Sequence, residues 1–92
     1  MLLAIKVTKH FKKDQKRLEK RNKNLKKLIE VIDLLVERKK LPKKHSDHLL
    51  KGNFIDRREC HIEPDWLLIY RIEHNRKLLT LERTGTHSDL FK

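Results

Sequence analysis

With 92 residues, the chain has room for one domain, residues 1–92, with one modest hydrophobic core. Twenty-four Lys and Arg residues against thirteen Asp and Glu give a net charge of +11, which favours a polyanionic partner: nucleic acid, an anionic membrane surface or an acidic protein. The single cysteine excludes an internal disulfide, and the lack of a signal-peptide pattern or an apolar run of ~20 residues predicts a cytoplasmic protein.

The first half of the chain predicts a strand and two helices. Apolar residues at alternate positions over residues 3–7 have the period of a half-buried strand. Thr8 offers a capping hydroxyl to a highly charged helix over residues 8–21. A stronger 3.6-residue apolar pattern begins at Leu25 and ends at Leu41-Pro42. The short break between them predicts an antiparallel helix hairpin.

The second half predicts a small sheet. A polar loop over residues 42–54 leads into strand-like runs over residues 57–62, 66–72 and 77–83. Their short connections are typical of an antiparallel meander. Gly85 then turns the chain into a C-terminal stub that holds Leu90 and Phe91. The order is β-α-α-β-β-β, an α+β fold with an N-terminal helix hairpin packed on a small antiparallel sheet.

Strand parity assigns side chains to faces. In the first run of the meander, Cys60 lies on one face and His61 on the other. We expect His61 on the open face, because a basic ring is costly to bury without a partner, and Cys60 beneath the helices. In the last run, parity groups Arg83 with Leu81. The middle run is apolar on both faces, which is typical of a central strand.

Histidines gather around the predicted sheet. His10 and His74 lie on a charged helix and in a turn, where we expect solvated surface. The other four flank the sheet: His45, His48, His61 and His87. Histidine is the commonest general acid or base because its ordinary pKa lies near neutral pH. Any one of the four is more often structural, but their convergence with Asp65 and Arg83 predicts an acid-base site.

Some of these residues have simpler explanations. Asp65 suits a turn, and Trp66 at a strand start suits the core. The functional alternative for Trp66 is a stacking surface for a base, worth ~1–3 kcal/mol. His45 and His48 have an H-x-x-H spacing, but no cysteine or helix supports a zinc site there. We expect neither a metal nor a cofactor, since no Gly-rich phosphate loop or carboxylate-rich site appears.

Metal-independent cleavage of RNA fits this residue set. The ribose 2′-OH is an internal nucleophile, a base removes its proton, and an acid protonates the leaving 5′-oxygen. Arginine or lysine stabilises the charge on the crowded phosphate. The lysine-rich helix faces suit the phosphate backbone without reading its sequence.

Three segments of this chain carry a family resemblance: DHLLKGNF, RRECHIEPDWLLIY and LERTGTHSDLF. Together they resemble the RelE/ParE superfamily of bacterial type II toxins, and most of all its YafQ-like branch of ribosome-dependent mRNA interferases. The resemblance implies a microbial RNase-like fold, cleavage of mRNA in the ribosomal A site, and neutralisation by a cognate antitoxin that wraps the basic surface. Leu49 departs from the pattern, since relatives often carry proline there.

The resemblance also implies roles for residues that match the motifs. The acid-base set is His48, His61, Asp65 and His87. Arg83 stabilises phosphate charge, while Trp66 and Phe91 position the substrate. Within this set we assign His87 as the acid and His48 or Asp65 as the base.

Two alternatives to a nuclease remain open on the sequence. One is a ParE-like toxin that inhibits DNA gyrase without cutting RNA, although that branch lacks this histidine set. The other is a nucleic-acid-binding module that acts with its antitoxin as a co-repressor on operator DNA.

Overall fold

The computed structural model describes residues 2–50 and 56–91. Its elements in chain order are β1 (Ala4–Val7), α1 (Lys9–Lys20), α2 (Leu25–Val36), β2 (His48–Leu49), β3 (Arg58–Glu63), β4 (Trp66–Glu73), β5 (Leu78–Gly85) and α3 (His87–Leu90). Short 3-10 turns at Lys43–His45 and His74–Arg76 lie in the connections. The predicted α+β class and the order of the main elements are confirmed. The end of the predicted loop, residues 51–54, lies outside the described residues.

The five strands form one sheet in the spatial order β1-β5-β4-β3-β2. Strands β3, β4 and β5 pair antiparallel in turn, as predicted for the meander. β2 lies in the segment predicted as a loop and adds an antiparallel partner to β3. β1 instead pairs parallel with β5, so the prediction of a wholly antiparallel sheet is wrong in this pairing. A period of two identifies a strand and its faces, but it records neither the partner nor its direction.

Local capping explains where the two long helices begin. The Thr8 side chain accepts a hydrogen bond from Phe11 N at the start of α1, and Asn24 accepts from Lys26 N at the start of α2. α2 ends at Val36, five residues before the predicted end, and Arg38 then adopts a left-handed φ of 59°. That conformation cannot continue a right-handed helix.

The sheet has two different faces. The face under α1 and α2 holds the main core, which includes Cys60, Trp66, Leu68 and Tyr70. Burial raises the pKa of the Cys60 thiol to about 12, so this cysteine is not a reactive nucleophile. The opposite face carries Leu67 and Ile69, covered by Leu90 of α3 and partly by Leu50. No helix in the described part of the chain is long and apolar enough to cross a membrane.

A β-bulge in β5 changes the face on which Arg83 lies. Tyr70 pairs with Leu81, whereas Ile69 pairs with Arg83, so Glu82 is an extra residue in β5. Residues paired directly across a ladder share a face. Arg83 therefore shares the face of Ile69, opposite Leu81, and the parity-based grouping of Arg83 with Leu81 is wrong.

Candidate active site

Three elements bring four of the predicted site residues together at one end of the sheet. His61 lies near the end of β3, Asp65 in the turn before β4, and His87 and Phe91 at the two ends of α3. His87 Nδ1 is 3.1 Å from Asp65 Oδ1, and the His87 ring centroid is 6.1 Å from each of the centroids of His61 and Phe91. We call His61, Asp65, His87 and Phe91 the histidine cluster.

A capping box fixes α3, and with it His87. Thr86 Oγ1 accepts a hydrogen bond from Asp89 N, and Thr86 N donates to Asp89 Oδ2. Arg21, the residue directly after α1, donates two further hydrogen bonds to the same carboxylate, at 2.8 and 3.2 Å. The Arg21 guanidinium holds the pKa of Asp89 well below its usual range. Gly85 has a φ of 153°, and a Cβ there would lie 2.9 Å from Asp89 Oδ2, which explains the glycine.

Hydrogen bonds indicate where the protons of the cluster lie. His61 Nδ1 is 3.2 Å from the Pro64 carbonyl oxygen, which only accepts, so this nitrogen carries its proton. The bond from His87 lowers the pKa of Asp65, so the carboxylate is ionised near neutral pH and accepts from His87 Nδ1. In both rings Nε2 is then left for proton transfer.

His48 lies on β2, which pairs with β3, the strand that carries His61. Both ring nitrogens of His48 make polar contacts. Nδ1 is 2.7 Å from the Ser46 carbonyl oxygen, and Nε2 is 3.0 Å from Glu59 Oε2. Glu59 is 6% exposed, and its other carboxylate oxygen has no hydrogen-bond partner among the described residues. Neither ring nitrogen is therefore left to accept a proton from a substrate, which argues against His48 as the base.

Arg83 is bound by a buried carboxylate that the sequence reasoning missed. Asp14 of α1 accepts from Arg83 Nε at 2.8 Å and Nη2 at 3.1 Å, and from Thr84 N at 3.2 Å. The Asp14 bond raises the pKa of Arg83, which stays charged. One signal was available, because Asp14 lies between Phe11 and Leu18 on the apolar stripe of its helix.

Trp66 lies in the core and not at the surface. Its side chain is 0% exposed, and its Nε1 donates to Thr84 Oγ1 at 2.9 Å, which in turn donates to the Leu67 carbonyl. The prediction that its ring offers a stacking surface is therefore wrong for this structure. The accessible aromatic ring beside His87 is that of Phe91, which is 40% exposed.

Comparisons with known proteins agree with one another. The sequence pattern of the family described as bacterial toxin of type II toxin-antitoxin system, YafQ, matches residues 3–92. The mRNA interferase toxin YafQ of Escherichia coli strain K12 is 44% identical over 82 residues, which cover 88% of this chain and 87% of that protein.

Solved structures of similar chains superpose over nearly the full length. A chain of the E. coli DinJ-YafQ toxin-antitoxin complex has a TM-score of 0.90 and 40% identity, and the match covers 100% of both chains. A metal-bound toxin from Helicobacter pylori has a TM-score of 0.91 and 45% identity, over 99% of this chain and 100% of that one. Within residues 2–50 and 56–91 of this chain, no group of three or more His, Cys, Asp or Glu side chains could hold a metal ion.

Proposed function

The chain belongs to the YafQ family of bacterial type II toxin-antitoxin toxins, and we propose that it is an mRNA interferase, an endoribonuclease that cuts mRNA on the ribosome and so blocks translation. The observation that carries this proposal is the His87–Asp65 pair beside the His61 ring. Two imidazoles whose ring centroids lie 6.1 Å apart are close enough to act on one phosphate linkage, one as the base and the other as the acid.

The partners of the two histidines favour different roles in the reaction. Asp65 accepts from His87 Nδ1 and fixes the orientation of the ring, and we assign His87 as the acid that protonates the leaving 5′-oxygen. Asp65 and His48, the bases expected from the family resemblance, are engaged with His87 and Glu59. We therefore propose instead that His61, which is held by a neutral carbonyl, is the base that takes the proton of the 2′-OH. The 2′-oxygen bonds to phosphorus as the bond to the 5′-oxygen breaks, which leaves a 2′,3′-cyclic phosphate and a 5′-OH.

Cationic side chains support the charge that develops on the phosphate. His48 pairs with Glu59 across the β2–β3 ladder. Glu59 is two residues before His61 and lies on the same face of β3. We assign this task to the Arg83 guanidinium and to the ring of His48. The solvent-exposed part of the Phe91 ring is the surface on which a base stacks.

The partners that we propose follow from the family and the charge. The E. coli relative forms a complex with DinJ, and we propose a cognate antitoxin with an acidic or wrapping segment for this chain. The net charge of +11 suits ribosomal RNA and mRNA, and operator DNA reached through the toxin-antitoxin complex. With these partners, we propose a cytoplasmic location.

Cleavage of mRNA on translating ribosomes by the purified protein, followed by primer extension, tests the proposal. Wild type should give discrete cleavage sites. Asp65→Asn should cut at least about a hundredfold more slowly, and His87→Ala more slowly still, because acid catalysis is lost. His74→Ala, in a distant exposed turn, is the control.

Wild-type rates for His87→Ala would contradict the assignment. Intact mRNA together with trapped DNA cleavage complexes in expressing cells would instead favour an inhibitor of gyrase.

A further inference from the structure

A groove of about 610 Å³ lies directly beside the histidine cluster. Lys27 and Glu30 of α2 form one wall, Lys44 and His45 of the 3-10 turn form the other, and Ile62 and Pro64 give it an apolar surface. His61 is a member of the histidine cluster and also lines this groove. Its volume lies within the range of ~300–1,000 Å³ typical of small-molecule sites, so one nucleotide fits.

His45 joins the groove to the cluster through the backbone of His61. β2 pairs with only two residues of β3, so the outer edge of β3 has no strand partner at His61. His45 Nδ1 lies 2.6 Å from the His61 carbonyl oxygen and takes the place of that partner. An unpaired backbone carbonyl at this edge would leave β3 free to shift, and His61 with it.

The bond from His45 to the His61 carbonyl oxygen also determines which ring nitrogen of His45 remains for contact with a ligand. A carbonyl oxygen only accepts, so Nδ1 carries the proton and donates it. A ligand can then contact Nε2 without breaking the bond to His61. Since His45 lines the groove, this second nitrogen is the group it offers to a ligand.

The charges of the groove favour one end for a phosphate. Glu63 accepts from both Lys23 and Lys27, at 3.0 and 2.8 Å, so its charge is neutralised. Lys44 makes no ion pair among the described residues and lies next to His45 in the sequence. Glu30, on the opposite wall, repels a phosphate. The favoured end is therefore that of Lys44 and His45.

We propose that this groove is a subsite for the ribonucleotide next to the cleaved bond, in which Lys44 and His45 bind its phosphate while His45 also holds the backbone of His61. The inference rests on the proposed cleavage of RNA. It makes Lys44 a binding residue and gives His45 two separable tasks. Nε2 contributes to substrate affinity, and Nδ1 positions His61 for the chemical step.

Single-turnover cleavage of ribosome-bound mRNA with excess toxin separates the two tasks. An Asn amide can reproduce the Nδ1 donor, whereas a Gln amide reaches the position of Nε2. His45→Asn should therefore raise the half-saturating toxin concentration about tenfold and keep the maximal rate, because one charge-assisted hydrogen bond is lost. His45→Gln should lower the maximal rate about tenfold with a smaller effect on half-saturation. The matched controls are His10→Asn, exposed on α1, and Lys6→Ala, exposed on β1.

A change in the RNA tests the phosphate contact itself. Methylphosphonate replaces one charged phosphate with a neutral group, and it is placed in turn on each side of the cleaved linkage. At one of the two positions it should raise half-saturation for wild type but not further for Lys44→Ala, because both changes remove the same contact.

Each outcome decides the matter. If the His45 and Lys44 variants behave as the controls while wild type cleaves, the subsite is refuted and the proposed nuclease stands. If they weaken binding of the antitoxin and leave the RNA kinetics unchanged, the groove is a protein-binding site and the proposal is likewise refuted. If wild type does not cut mRNA at all, the proposed function itself fails.

Discussion

At the scale of single residues, the position of Arg83 depends on Asp14. The carboxylate is 1% exposed, and it joins α1 to β5 by accepting from Arg83, from Thr84 N and from Arg17. A buried carboxylate is stable only when its oxygens are paired in this way. Asp14 is thus a positioning residue for Arg83. It also accepts from Thr84 N in the part of β5 that extends past its pairing with β1, where it takes the place of a strand partner.

Replacing Asp14 with Asn should therefore lower the free energy of unfolding. Removing one partner of a buried ion pair costs ~3–5 kcal/mol, and we expect about 3 kcal/mol because the Arg83 side chain is 24% exposed. Urea denaturation measures the change, and Asp33→Asn on the exposed face of α2 is the control. Equal stability of the two variants would show that Asp14 does not anchor β5.

At the scale of elements, α3 depends on groups outside itself. It spans only four residues, too few for a helix to be stable alone. Its structure rests on the Thr86–Asp89 capping box and on the bonds to Asp89 from Arg21, at the C-terminal end of α1. The first residue of α3 is His87, so the same contacts determine where the proposed acid lies.

The pH dependence of α3 follows from the lowered pKa of Asp89. An acidic group whose pKa is lower in the folded protein than in the unfolded chain stabilises the folded state. This stabilisation is complete when the pH is above the pKa of the unfolded chain, and it is lost as the pH falls through the pKa of the folded protein. The stability that the Arg21–Asp89 contacts give α3 should therefore be complete above about pH 4 and should decline progressively as the pH falls from there towards the lowered pKa of Asp89.

NMR spectra recorded over this pH range measure the change through the amides of Leu90 and Phe91. Asp89→Asn should show the loosened α3 already at neutral pH and lack the low-pH transition. An unchanged α3 spectrum in this variant would contradict the argument.

At the scale of the whole molecule, charge governs association. Several acidic side chains are already paired with basic ones, including Asp14, Glu63 and Asp89, so the excess of +11 is left for partners. Neutralising nucleic-acid phosphates releases counterions, which makes binding steeply dependent on salt.

We therefore expect affinity for ribosomes to fall at least about tenfold between about 50 and 200 mM salt. His87→Ala should keep the same slope of log affinity against log salt, because this change affects the chemical step and not the phosphate contacts. Sedimentation with ribosomes at several salt concentrations measures both slopes. Affinity that is independent of salt would refute the electrostatic account.

Local patterns in the sequence were sufficient for the element order and for several faces. The alternation along β3 predicted His61 on the open face and Cys60 in the core, and both are confirmed. Burial has a strong local signature, because an unpaired polar ring is costly inside and an apolar run is costly outside. The turn and cap residues around Gly85 and Thr86 likewise act over a few positions.

Only the tertiary structure decided the contacts that shape the site. The parallel pairing of β1, the bulge that reverses the face of Arg83, the burial of Trp66 and the bond from His45 to His61 all depend on partners distant in the chain. The Arg83–Asp14 pair joins residues 69 positions apart. A periodic pattern records how often a position faces the core, but not which partner it meets there. The sequence by itself therefore determined which residues are available for chemistry, and the packing of α1 and the 3-10 turn on the sheet decided how they are held.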